Sequence, residues 1–129
     1  MPADLDSARY VSFTTYRRNG TPVSAAVWVV PFDGGYAFTT DPTSAKVRRI
    51  ANDARATLRV CDMRGRVADG TTEHVGAAVL LGPEDTDRVA ALVKRKYRFG
   101  WVLISAMALF ERIRGKGQAA EGAIKVTLD

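Results

Sequence analysis

The dipeptide Asn19-Gly20 constrains this chain more than any other feature. It lies in the stretch YVSFTTYRRNGTPVSAAVWVVP, between a β-branched and aromatic run, Tyr10–Tyr16, and a near-continuous apolar run, Pro22–Pro31. Asn-Gly tolerates positive φ at both central positions of a tight turn, so the spacing predicts a two-residue hairpin that makes the two runs antiparallel neighbours. The second run is apolar at almost every position rather than at alternate ones, which predicts burial on both faces. Asp33-Gly34-Gly35 predicts a further turn into Tyr36–Thr40. Within its first forty residues the chain is thus committed to antiparallel pairing.

The remaining pattern extends this reading. Asp41-Pro42 biases the backbone away from helix, and Thr43 or Ser44 can cap a helix that follows. Val47, Ile50, Ala51 and Ala54 predict that helix's apolar face. Ala56–Asp62 and Thr72–Gly82 read as strands on either side of a basic turn. Pro83, Glu84 and Asp85 suit the first turn of a helix whose apolar stripe is Val89, Leu92, Val93 and Tyr97. A second helix from Trp101 to about Arg114 and a last strand, Ala123–Leu128, complete the order β-β-β-α-β-β-α-α-β. Hairpins dominate, so the expected fold is mostly β with helices, an antiparallel barrel with appended helices. At 129 residues one domain, 1–129, is expected, burying roughly 65–70% of its unfolded surface. Neither GxGxxG nor GxxxxGK[ST] occurs, which excludes the common nucleotide-binding parallel sheets.

Charge and chemistry narrow the function classes. The formal charge is +5, with basic residues gathered at Arg17-Arg18, Lys46 to Arg49, Arg64 to Arg66, Lys94 to Arg98 and Arg112 to Lys116. These clusters are short and not interleaved with aromatics, so a nucleic-acid partner ranks last. The single cysteine, Cys61, excludes an intrachain disulfide and a thiolate-rich metal site. His74 is the lone histidine, so no metal is expected, although haem can use one axial histidine. The apolar run Trp101–Phe110 is half the ~20 residues a spanning helix takes. It reads as a buried helix, and alternatively as a lid over an apolar substrate or a peripheral membrane contact. The start, MPADLDSA, is acidic and lacks an apolar core, so the expected location is cytoplasmic.

Three places hold candidate binding residues. Thr39, Thr40, Thr43 and Ser44 put hydroxyls at a helix start, with Lys46 and Arg49 adding charge, which suits phosphate or carboxylate as well as it suits a plain capped helix. Trp28 reads as a core tryptophan or as one wall of a slot for a flat ring, flanked by Val27. Asp62, Arg64 and Arg66 read as a solvated turn or as arms reaching an anionic ligand, across a dimer interface in the second case. No Ser/His/Asp set, Cys/His/Asn set or carboxylate pair stands out, so the catalytic residues are unassigned and any chemistry belongs to a cofactor.

The stretches YVSFTTYRRNGTPVSAAVWVV, YAFTTDPTSAKVRRIANDARATLRVCDMRGR and KRKY resemble the split β-barrel flavin and deazaflavin oxidoreductases, the pyridoxamine 5′-phosphate oxidase-like superfamily. The likeness covers residues 8–66 best and is nearest to the actinobacterial branch that uses coenzyme F420. It implies a homodimer with two cofactor sites between subunits. By that likeness Thr39, Thr40, Ser44, Lys46 and Arg49 match anion-binding positions, with Lys46 foremost. Ala26, Val27 and Trp28 would lie along the ring system, and Arg64 would approach from the interface. The end of the chain, QAAEGAIKVTLD, lacks the arginine-rich segment of the enzyme that oxidises pyridoxamine phosphate, so that activity is not expected. The resemblance implies F420-dependent reduction of an apolar, conjugated small molecule. The alternatives are an FMN-dependent oxidoreductase of the same fold and a haem or cofactor carrier without turnover.

Overall fold

The structure, a computed structural model, describes residues 2–97 and 122–129. The expected helix from Trp101 to Arg114 lies outside the described residues. In chain order the elements are α1 (Ala3–Ser7), β1 (Tyr10–Tyr16), β2 (Pro22–Val27), β3 (Val30–Phe32), β4 (Gly35–Thr40), α2 (Ala45–Asn52), β5 (Arg55–Cys61), β6 (His74–Leu80), α3 (Pro83–Lys96) and β7 (Gly122–Leu128). Seven strands form one sheet in the order β2-β1-β5-β6-β7-β4-β3, with every pair antiparallel. The two edge strands, β2 and β3, are consecutive in the chain and separated only by Trp28 and Val29. The sheet therefore curls until its edges approach one another, giving the half-barrel of a split-barrel fold. The expected strand and helix order holds for the described residues, with one addition and one break.

The addition is α1, which no periodicity announced. Leu5 is fully buried in the barrel core, and Tyr36 Oη donates to Asp6 Oδ1 at 2.5 Å from the inner face of β4. Burial and the Asp6 carboxylate push the Tyr36 phenol well above its usual range, keeping it a donor. The break divides the expected strand Pro22–Pro31. The first half is not buried on both faces, as its composition predicted, but alternates exposed and half-buried. It lies at the sheet edge with β1 on one side only, and its residues are exposed or half-buried among the described residues.

The turns also differ in detail. The first hairpin is a three-residue loop, Arg18-Asn19-Gly20, closed by Arg17 N–H donating to Thr21 O at 2.9 Å. Gly20 alone has positive φ, 86°, and the Asn19 carboxamide oxygen accepts from Thr21 N–H instead of placing Asn19 in the left-handed region. Between β3 and β4 the turn is the two-residue type, with Asp33 at φ 45° and Gly34 at φ 81°.

Two apolar clusters result. The barrel interior holds Val11, Phe13, Tyr36, Phe38, Leu58, Ile124 and Val126. Outside it, α3 packs Val89, Val93 and Tyr97 on Val30, Phe32, Ala37 and Ala123. The expected stripe of α3 is therefore the face that docks. In α2 only Ile50 is buried and Val47 is half-buried. Ala51 is exposed, and the helix ends before Ala54.

Candidate functional site

A cleft of about 490 Å3 opens where β2 leaves the sheet, and Tyr10, Ala26, Val27, Trp28, Thr39, Lys46, Met63 and Val93 line it. Ala26 and Val27, the last two residues of β2, alternate between its faces and both line the cleft, and β2 is an edge strand of the sheet. That edge has a row of backbone N–H and C=O groups that the sheet leaves unpaired. One wall is aromatic. The Trp28 ring stacks on Tyr97, 4.7 Å between centroids and 5° between planes, and Tyr10 leans on Trp28 at 6.4 Å. Trp28 is thus neither a core residue nor a free one. One face is backed by Tyr97, and the side chain borders the cleft.

The other side is the helix start, and the structure sorts its residues. Thr39, at the end of β4, and Lys46, in the first turn of α2, line the cleft. Thr43 is committed elsewhere: its N–H and hydroxyl donate to Asp41 Oδ1 at 2.8 and 2.7 Å. Those two bonds hold the exposed Asp41 carboxyl below its usual range. Thr40 and Ser44 hydroxyls face each other at 3.5 Å, and Ser44 occupies the N-cap position without a side-chain cap bond. The first-turn amides of α2 are therefore not closed by a side chain.

Arg49 takes a different direction. Its Nε donates to the Oγ1 of the fully buried Thr15 at 2.6 Å, and it is not among the cleft-lining residues. Partial burial, then Arg17 and Arg48, lower its pKa from the usual arginine value. Arg64 lies exposed in the loop after β5, where Asp62 Oδ1 accepts from the Arg64 and Arg66 amides, both at 2.9 Å. The same loop delivers Met63 to the cleft, 69% exposed. Of the sequence-predicted site residues, the cleft brings together Ala26, Val27, Trp28, Thr39 and Lys46. Thr40, Ser44, Arg49 and Arg64 stand outside its lining.

Sequence reasoning missed Tyr10, Met63 and Val93. Val93 belongs to the apolar stripe of its helix, and Met63 sits between the charged Asp62 and Arg64, so neither carries a local signal for a site. Only the positions of β1, α3 and the loop after β5 relative to β2 reveal them. His74 and Cys61 are not among the residues that line the cleft. His74 Nε2 pairs with Asp4 Oδ2 at 2.9 Å, outside the cleft lining. Burial and Asp62 push the Cys61 thiol up, away from nucleophile range. Among the described residues no group of three His, Cys, Asp or Glu could hold a metal, and no helix is long and apolar enough to cross a membrane.

The lining suits a flat, partly anionic ligand: an aromatic wall, an apolar strand with free backbone edges, and a hydroxyl and an ammonium at one side. A curled antiparallel sheet with such a cleft at its split defines a split-barrel protein. The chain belongs to the pyridoxamine 5′-phosphate oxidase family, whose sequence profile matches residues 2–125. Solved structures agree on the fold. A protein of unknown function from Agrobacterium tumefaciens superposes with a TM-score of 0.68 at 17% identity, covering 96% of this chain and 50% of that one, so this chain spans half its length. An F420 reductase matches with a TM-score of 0.62 at 20% identity, over 97% of this chain and 90% of that one. HutZ, the haem storage protein of Vibrio cholerae, matches with a TM-score of 0.66 at 12% identity, over 97% and 84%. No curated protein sequence matches the chain.

Proposed function

We propose that the protein is a coenzyme F420-dependent reductase that passes hydride to an apolar, conjugated small molecule from a cleft at a homodimer interface. The observation that carries this reading is the meeting of Ala26, Val27 and Trp28 with Thr39 and Lys46 around one cleft. When bound, the deazaflavin supplies the hydride from its ring carbon. The chain's own residues do the rest. Lys46 and Thr39 hold the acidic portion, Val27 and Trp28 keep water from the ring, and the edge of β2 fixes ring orientation through its backbone groups. Among the described residues the lining holds no carboxylate, and in this reading solvent supplies the proton that completes reduction.

A second copy of the chain is the partner this reading requires. The outer face of β2 and the exposed Val75, Val79 and Leu80 are the apolar surface it would cover. FMN is the second cofactor reading, because its ring and phosphate meet the same lining. Haem is third, since His74 is already paired with Asp4 and lies outside the cleft lining.

Titration of the purified protein with F420 and with FMN, followed by cofactor fluorescence, tests the proposal. Micromolar or tighter binding of F420, with weaker FMN binding, is expected. Tight FMN binding without F420 binding makes it a flavin enzyme. A Soret band in the purified protein, lost in His74→Ala, makes it a haem protein.

A further inference from the structure

Between β2 and β3 the chain turns a corner at Trp28-Val29, and the carbonyl of the fully buried Val29 lies outside both strands. A buried carbonyl off the ladder needs donors from elsewhere. Two come from the C-terminal end of α3. Tyr97 Oη donates to Val29 O at 2.9 Å, and Lys96 Nζ donates to the same oxygen at 2.9 Å. The Tyr97 hydroxyl also lies 3.3 Å from Ala8 O. Burial pushes the Tyr97 phenol up to about 12, so it stays a donor at neutral pH. The same Tyr97 carries the Trp28 ring on its face at 4.7 Å and 5°, while Val93, one turn back on α3, lines the cleft.

We infer that Tyr97 is a positioning residue that sets the aromatic wall of the cleft: its hydroxyl, aided by Lys96, fixes the corner backbone at Val29, and its ring fixes the plane of Trp28. Tyr97 is not itself among the residues that line the cleft. It acts through Trp28, whose following backbone, at Val29, it helps to pin. The chain thereby couples the docking of α3 on the sheet to the shape of the ring-binding slot. The effect on cofactor affinity rests on the function proposed above, whereas the effect on Trp28 does not.

The test separates the two. The chain has two tryptophans, so a Trp101→Phe background leaves Trp28 as the sole reporter. In that background Tyr97→Leu removes stack and hydroxyl, and Tyr97→Phe removes the hydroxyl alone. All measurements are made well below each variant's unfolding midpoint, so that loss of global stability does not enter. Acrylamide quenching of Trp28 is expected to rise in Tyr97→Leu and to rise by less in Tyr97→Phe. F420 or FMN affinity should weaken by roughly threefold to tenfold in Tyr97→Leu, the size of an aromatic pair's contribution. Unchanged Trp28 quenching in Tyr97→Leu overturns the inference. Should that variant not fold, unchanged quenching in Tyr97→Phe does so. A wild-type protein that binds neither cofactor overturns the proposed function, and the quenching still decides the role of Tyr97.

Discussion

Arg49 donates its Nε to the buried Thr15 hydroxyl at 2.6 Å, while Lys46, three residues earlier on the same helix, lines the cleft. The two cations of one basic segment therefore do different work. Lys46→Ala is expected to weaken binding of the anionic cofactor by about 1.5–3 kcal/mol, the worth of a charge-assisted contact, with little change in thermal stability. Arg49→Ala is expected to do the opposite. It leaves Thr15 without its partner and lowers stability by about 1 kcal/mol while affecting affinity less. Cofactor titration and thermal unfolding of both variants check the division. Equal affinity losses would put Arg49 at the anion as well.

A second prediction concerns β7, which runs between β6 and β4. A Cβ built on Gly76 would collide with the Thr127 carbonyl oxygen, and one built on Gly35 with that of Val126. Both obstacles are backbone in the middle of the curled sheet, so they cannot step aside as a flexible side chain can. Gly76→Ala is expected to destabilise by about 1–3 kcal/mol, as overpacking does. Gly70→Ala serves as the contrast: a Cβ there meets nothing within 4 Å, and only its φ of 82° opposes the change. Chemical denaturation of the two variants measures the difference.

The acid limb of stability should report α1. The His74 hydrogen bond holds the Asp4 carboxyl below its usual value, so the native state binds fewer protons than the unfolded chain there. A carboxylate with a depressed native pKa contributes stability above its unfolded value, about 4, and loses it as pH falls through the native value. Asp4 is well exposed, so the contribution is small. Asp4→Asn is expected to lower the unfolding midpoint slightly at pH 7 and to converge on the wild type as pH falls below about 4, which flattens the acid limb. An unaltered acid limb would mean the pair does not tether α1.

The wall of the cleft gives a fourth expectation. Trp28→Ala removes an aromatic face bordered by Tyr10 and backed by Tyr97. Ring affinity should fall by more than tenfold, about 1.4 kcal/mol or more. The same titration on Tyr10→Phe should show little change, because the ring that leans on Trp28 is retained.

Local chemistry made much of the fold legible. Asn19-Gly20 and Asp33-Gly34 both mark real hairpins, since a turn's backbone demands act on adjacent residues. The α3 stripe is the face that packs, because its period is set by helix geometry alone. The misreadings share one cause. The apolar run Pro22–Pro31 looked like a central strand, and it is a bent pair of edges around Trp28-Val29. Apolar composition does not say which neighbour covers a strand. The helix α1 carries too short a pattern to announce itself, and Leu5, Tyr36 and Asp6 hold it through contacts some thirty residues apart.

The candidate site divides along the same line. The sequence by itself determined the chemical types: hydroxyls and cations at a helix start, an apolar strand with a tryptophan, and no catalytic side-chain set. These follow from residue identity and from spacings of a few positions. The tertiary structure decided which of them meet. Curling the sheet brings the end of β4, the start of α2 and the edge of β2 around one cleft, placing Thr39 and Lys46 with Trp28 and turning Arg49 away to Thr15. That choice depends on strand order and on how α2 and α3 dock, and such long-range pairings leave no local signature for a sequence pattern to carry.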